Sequence, residues 1–143
     1  MTEESKKPML RQLAFEGALL TRGFWLYIWE IKSGDDRNIY YVGRTGDKPS
    51  GSSQSPFDRL SKHLGQNKNN NALRRYLDKN QVDPSRCHFR FHAYGPLFTE
   101  GSLDHGKVCD MMSGLEKALA DAMLADFSEH THLISTKGPT RFQ

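Results

Sequence analysis

The sequence predicts an α+β domain: a small three-stranded antiparallel sheet flanked by helices, with an additional N-terminal helix. Three observations carry this. Two runs dense in aromatic and β-branched residues, Phe24 to Ile31 and Asn38 to Val42, flank Ser33-Gly34-Asp35-Asp36, which is turn chemistry, so they should pair as an antiparallel hairpin. A third alternating run, Cys87 to Tyr94, follows two short helical patterns. Ser113 to Phe127, rich in alanine and leucine, is the strongest helical pattern in the chain. After one leading helix the order is β-β-α-α-β-α, which suits a small sheet with helices packed on it.

Each element has its own local warrant. Leu10, Leu13, Gly17 and Leu20 recur at helical spacing, so Met9 to Leu20 is expected to form a short amphipathic helix that Gly23 ends. Gly46 to Ser55 is a loop by composition. Ser55-Pro56 then starts a helix running to about Leu64, with Phe57, Leu60 and Leu64 inward, because serine caps and proline suits the first turn. A polar bend leads to a second helix over Ala72 to Lys79, burying Leu73, Tyr76 and Leu77. Pro96 to Met112 is poorly patterned and is expected to be irregular. In the last helix Leu115, Leu119, Ala122 and Met123 share the inward side, and Leu133-Ile134 suggests a short extended piece.

At 143 residues there is room for one domain. Residues 1–22 read as an extension and 23–143 as the domain proper. The polar start carries no targeting pattern, and no stretch reaches the ~20 apolar residues needed to span a bilayer, so the expected location is the cytoplasm. Cys87 and Cys109 make neither a disulfide framework nor a common zinc motif. The net charge of +3 is unevenly spread: Arg37 to Arg90 holds 11 Lys/Arg against 4 Asp/Glu, and both flanks are slightly acidic. A basic centre interleaved with aromatic residues and asparagine suits a surface that tracks phosphates; a merely solvated basic surface is the plainer alternative.

Several residues could carry chemistry. Tyr27 lies in the first strand and Tyr41 in the second; for either alone, a packed aromatic is the simpler reading. Gly43 suits a strand end where the backbone turns. Arg59 and His63, four apart, share one helix face; a guanidinium can fork onto phosphate oxygens, and an imidazole can relay a proton. Glu116 has two readings. Ser113-x-x-Glu116 is a capping box, which the local sequence favours; otherwise Glu116 is a lone carboxylate ligand for Mg²⁺ or Mn²⁺.

The order of these residues resembles the GIY-YIG nuclease family. Trp25-Leu26-Tyr27 stands where that family has Gly-Ile-Tyr, and Tyr41-Val42-Gly43-Arg44-Thr45 is similar to its Tyr-Ile-Gly-Lys-Thr segment. Phe57-Asp58-Arg59-Leu60-x-x-His63 looks like its Arg/His helix, and Leu115-Glu116-Lys117-Ala118-Leu119 like its Glu helix. The likeness runs from about Gly23 to Gly138. The sequence departs from the pattern at three places. Only the tyrosine of the first motif is kept, the loop before Arg59 is longer than the family's short form, and no asparagine follows Asn80, so His130, His132 or Ser135 would have to stand in for the family's last site residue.

The resemblance implies a metal-dependent endonuclease that hydrolyses DNA phosphodiester bonds, with RNA left open as substrate. It assigns Tyr27 as general base, Tyr41 and His63 as groups that position or relay its proton, Arg59 as the phosphate clamp, and Glu116 as the ligand of one Mg²⁺ or Mn²⁺. Arg44, Lys48, Lys62, Lys68, Arg74 and Arg75 are the basic residues expected to bind the nucleic acid. One such site cuts one strand, so double-strand cleavage implies a homo-oligomer or two successive nicks. The competing readings are a catalytically inactive nucleic-acid-binding module on the same fold, and a protein-interaction domain indifferent to nucleic acid.

Overall fold

The structure, a computed structural model, describes residues 8–45, 55–63, 72–98, 104–125, 131–135 and 141–142. Its centre is the hairpin of β1 (Phe24–Lys32) and β2 (Asn38–Arg44), in which Tyr27 faces Gly43 and Trp29 faces Tyr41. The turn closes through Ser33 and Arg37: the Ser33 N–H donates to the Arg37 carbonyl at 3.0 Å, and the Asp36 N–H donates to the Ser33 carbonyl at 3.1 Å. β3 (His88–Phe98) pairs antiparallel with the other side of β1, completing the expected three-stranded antiparallel unit. The sheet does not stop there. β4 (Thr131–Ser135) lies parallel to β2, and β5 (Arg141–Phe142) pairs antiparallel with β4, for a strand order β3-β1-β2-β4-β5. β4 contains the extended piece expected at Leu133-Ile134.

Strand alternation divides the chain between two faces. Tyr27, Trp29, Ile31, Ile39 and Tyr41 pack with Leu73 and Leu77 of the helix Ala72–Lys79, here α2, and with Leu60 of the preceding helix Pro56–His63, α1. On the opposite face Val42, Ile28, Tyr40 and Leu133 pack with Ala120 and Leu119 of a long helix, α3 (His105–Ala125). α1 begins with the expected cap and adds to it. The Asp58 N–H donates to Ser55 Oγ at 3.2 Å, and Asp58 Oδ2 accepts from the Ser55 N–H at 3.1 Å, a reciprocal capping box.

Three expectations are corrected. The N-terminal helix over Met9 to Leu20 is reduced to a 3-10 turn at Gly17–Leu20. Leu10 is 85% exposed and Leu13 is also exposed, so most of the apolar stripe stays in solvent, and an isolated helix of that length is marginal in water. Within Pro96 to Met112 the described residues are mostly regular: β3 runs to Phe98, and α3 starts at His105. The reason is a stripe at strict four-residue spacing, Val108, Met112, Glu116 and Ala120, all buried. It has a carboxylate in the middle of the apolar series, so it does not read as a core face. Consequently Leu115 and Ala122, expected inward, are exposed, and Leu119 and Met123 are only partly buried. Among the described residues no helix is long and apolar enough to cross a membrane.

Gly43 is the tightest point of the sheet. A Cβ built there would lie 2.8 Å from Tyr27 Cε1 and closer still to the ring's hydroxyl end. Glycine is therefore required by the neighbouring ring, not by a turn. Gly43→Ala is expected to cost about 1–3 kcal/mol, the usual range for overpacking a core, read from urea denaturation midpoints. In a Tyr27→Ala background the same change should cost much less, because the atoms it collides with are gone.

Candidate active site

Each residue of the Tyr41–Thr45 segment has a separate physical task. Tyr41 enters the α2 face, Val42 the α3 face, and Gly43 clears Tyr27. Arg44 returns to the α3 face, where its Nη1 donates to Glu116 Oε1 at 3.3 Å. Thr45, fully buried, ties the end of the hairpin together: its Oγ1 donates to the Gly23 carbonyl at 2.7 Å and accepts from the Trp25 N–H at 3.1 Å. Thr45 has no role in the sequence reading beyond membership of the motif, and its two buried hydrogen bonds show why the residue is there. The departure at Trp25 also has a local account. Its indole packs against Gly95 of β3, and its Nε1–H donates to the Thr21 carbonyl at 3.1 Å.

Tyr27 and Tyr41 are 2% and 3% exposed, and their rings stack with centroids 6.3 Å apart and planes 12° from parallel. Phe91 of β3 closes the other side of Tyr27 at 5.5 Å. Burial pushes the Tyr41 phenol up to about 12, and the Glu116 carboxylate adds to the rise, while Arg59 and Arg75 act in the opposite direction. Tyr41 is therefore the point where four elements meet electrostatically: β2 itself, α1 through Arg59, α2 through Arg75 and α3 through Glu116. At neutral pH its hydroxyl keeps its proton and is a hydrogen-bond donor.

Glu116 is fully buried in the middle of α3, so the capping-box reading is overturned: Ser113 sits eight residues inside the helix that begins at His105. The carboxylate that would have capped a helix end is instead paired with Arg44. That side chain is only 9% exposed and is spent on Glu116, where the sequence reading had it facing nucleic acid; its Nε is buried without a hydrogen-bond partner among the described residues.

Of the expected site residues, the structure brings Tyr27, Tyr41, Arg59 and Glu116 into one neighbourhood, with Arg44 and Arg75 beside them. His63 ends α1, but its side chain lies outside the described residues, as does that of Lys62. Lys48 and Lys68, expected to bind nucleic acid, fall outside the described residues altogether, as does His130; for His132 and Ser135 only the backbone positions in β4 are described. Arg74 is half-buried on α2, and its neighbour Arg75 is exposed. No group of three or more His, Cys, Asp or Glu side chains able to hold a metal occurs among the described residues.

Tyr41 makes a pH prediction whose sign is fixed. A free phenol titrates near ~10, so between pH ~10 and about 12 the folded protein holds a proton that the unfolded chain has released. Stability from this group is complete below pH ~10 and is lost as pH rises towards 12. Urea melts across that window should show a decline with an increment on the order of 2 kcal/mol that Tyr41→Phe removes. An equally steep decline in the variant would exclude Tyr41 as its source.

No family model, curated protein or solved structure matches this chain.

Proposed function

We propose that the chain is an endonuclease of GIY-YIG type that hydrolyses phosphodiester bonds in DNA. The observation that carries this reading is the convergence on Tyr41: a stacked tyrosine pair with Arg59 and Glu116, brought from separate helices, both acting on it. Packing alone gives no reason to aim a carboxylate and two guanidinium groups at a buried phenol. Phosphodiester hydrolysis needs all three kinds of group: a hydroxyl system to handle a proton, positive charge on the phosphate, and a carboxylate.

In this reading Arg59 binds a nonbridging phosphate oxygen, and Arg75, exposed on α2, extends the positive surface along the nucleic acid. Tyr41, protonated at neutral pH, donates a hydrogen bond that orients the attacking water. Tyr27 takes the proton from that water. A phenol does so at neutral pH only with positive charge nearby, and Arg59, which acts on the neighbouring Tyr41, is the group assigned to supply it. His63 is assigned the proton relay by resemblance. Dependence on Mg²⁺ or Mn²⁺ is assigned to Glu116, whose carboxylate oxygens are the hard donors such ions take. The arrangement itself does not seat one. Glu116 has no exposed surface, and one of its oxygens is held by Arg44, whereas Mg²⁺ keeps several waters.

That same observation favours a second reading, an inactive nucleic-acid-binding module in which Arg44 has permanently taken the place of a metal. Supercoiled plasmid incubated with the protein and Mg²⁺ or Mn²⁺ separates the two. The nuclease reading expects nicking that EDTA and Glu116→Gln both abolish, and that Tyr27→Phe and Arg59→Ala each reduce ~100-fold or more. Glu116→Gln is the informative control because Glu116→Ala would leave Arg44 buried without its counter-ion, at a cost of about 3–5 kcal/mol. Intact plasmid whose migration is retarded, with salt reversing the retardation, would move the assignment to the binding module.

A further inference from the structure

We infer that the outer edge of β3 pairs with the β3 edge of a second copy of this chain, antiparallel about a two-fold axis at Phe91, so that two sheets join across a dimer. β3 ends the strand order β3-β1-β2-β4-β5, and among the described residues no strand pairs with its outer side. Such an edge presents a row of unpaired N–H and C=O groups, which is a template for another strand. β3 is also the longest described strand, at 11 residues, yet none of its residues is buried. Phe89 and Phe91 pack on the α2-face core and stay partly exposed, whereas Trp29, beside them on β1, is 3% exposed. That contrast puts the unfinished boundary of the core at the β3 edge.

Apolar grooves flank this edge on both faces of the sheet. On the α3 side one runs between Tyr94 and Leu97 of β3 and Leu115 of α3; on the other, a groove separates Leu13 and Phe15 from Phe89 and Phe91. Leu13, Phe15, Tyr94 and Leu115 are all exposed and together offer on the order of 400 Å² of side-chain surface. With the half-exposed phenylalanines and the edge backbone, this approaches the ~800 Å² per partner of a standard interface. A second copy fits better than a foreign peptide because the edge complements itself. Its stretch His88–Tyr94 ends at Gly95-Pro96, where proline has no N–H to give, and Phe91 is its midpoint. Pairing about that point sets Phe91 of one protomer against Phe91 of its partner, Phe89 against Ala93, and Arg90 against His92. Apolar side chains then meet on the core face and polar ones on the other. Glu30 Oε2 lies 3.0 Å from His92 Nε2 and 4.0 Å from Arg90 Nη1, so each Arg90 brings a carboxylate with it to the seam. The pairing does not depend on the nuclease reading, although it would supply the two sites that double-strand cleavage calls for.

Sedimentation equilibrium of the full-length chain tests this. The parent protein should sediment at twice its 16.3 kDa mass, with a Kd in the micromolar range or tighter. Arg90→Asp combined with His92→Asp sets like charges opposite one another and beside Glu30, which destabilises a strand pair, so the dimer should weaken tenfold or more. Both side chains are exposed, and circular dichroism should show the variant folded. A parent that stays monomeric at ~100 μM would overturn the proposal, since an interface of standard size binds more tightly than that. A dimer that persists unchanged in the folded variant would overturn it too, because the contact then lies elsewhere. Should the variant fail to fold, hydrogen exchange in the parent decides. Amides within His88–Tyr94 must gain protection as concentration is raised through the dimer transition, and equal exchange in monomer and dimer overturns the pairing.

Discussion

A slip of one residue between β1 and β2 would turn every side chain of β2 to the wrong face. It would carry Tyr41 away from Leu73 and Leu77, and Arg44 away from Glu116. The register is held where Tyr27 lies over Gly43, since no other residue of β2 leaves room for that ring. It is held again one step further on, where Thr45 bonds to Gly23 and Trp25 across the hairpin end. Everything that could be chemical depends on this pairing, because the tyrosines reach one face of the sheet and Arg44 the other.

Those two faces are not equivalent. The α2 face is an aromatic and aliphatic core in which the tyrosine hydroxyls are the polar minority. The α3 face contains a charge deep in its apolar stripe, at Glu116. Burying a carboxylate charge is costly, and the Arg44 guanidinium lies against it as an opposite charge at 3.3 Å. The charge that results is felt through the strand, since it helps to raise Tyr41 on the far face. A buried ion pair is weak evidence for stability, because a well-packed apolar pair of similar size would often serve the fold as well or better. Stability alone therefore gives no account of the pair.

The sheet and the helices around Tyr27, Tyr41 and Arg59 were legible in the sequence because each is a local pattern. Ser33-Gly34-Asp35-Asp36 marks the hairpin turn, and Ser55-Pro56 with Asp58 the start of α1. What failed was whatever depended on a distant partner. The stripe Leu10, Leu13, Gly17 and Leu20 is good helical periodicity, but the fold leaves Leu10 and Leu13 largely exposed, so periodicity alone misled. The opposite error hid the first half of α3. Val108, Met112 and Ala120 are a clear four-residue series only if Glu116 is allowed to be a core residue, and a lone carboxylate is not expected there. The capping box at Ser113 offered a cheaper explanation of the same glutamate. The pairing of Arg44 with Glu116 spans 72 positions, and no local pattern in the sequence could announce it.

The placement of the groups also limits where they can meet. Tyr27 and Tyr41 are on one face, and Glu116 is on the other, so neither face alone holds the whole set. They come within reach of one another only at the end of β2. There the parallel pairing with β4 stops at Val42 and Ser135, and the chain continues through Gly43, Arg44 and Thr45. Gly43 carries no side chain at the level where the two faces must communicate. The place that a side chain at position 43 would take is filled by the Tyr27 ring. A substituent at position 43 would therefore do more than loosen the core: by displacing the Tyr27 ring it would disturb the stacked tyrosine pair.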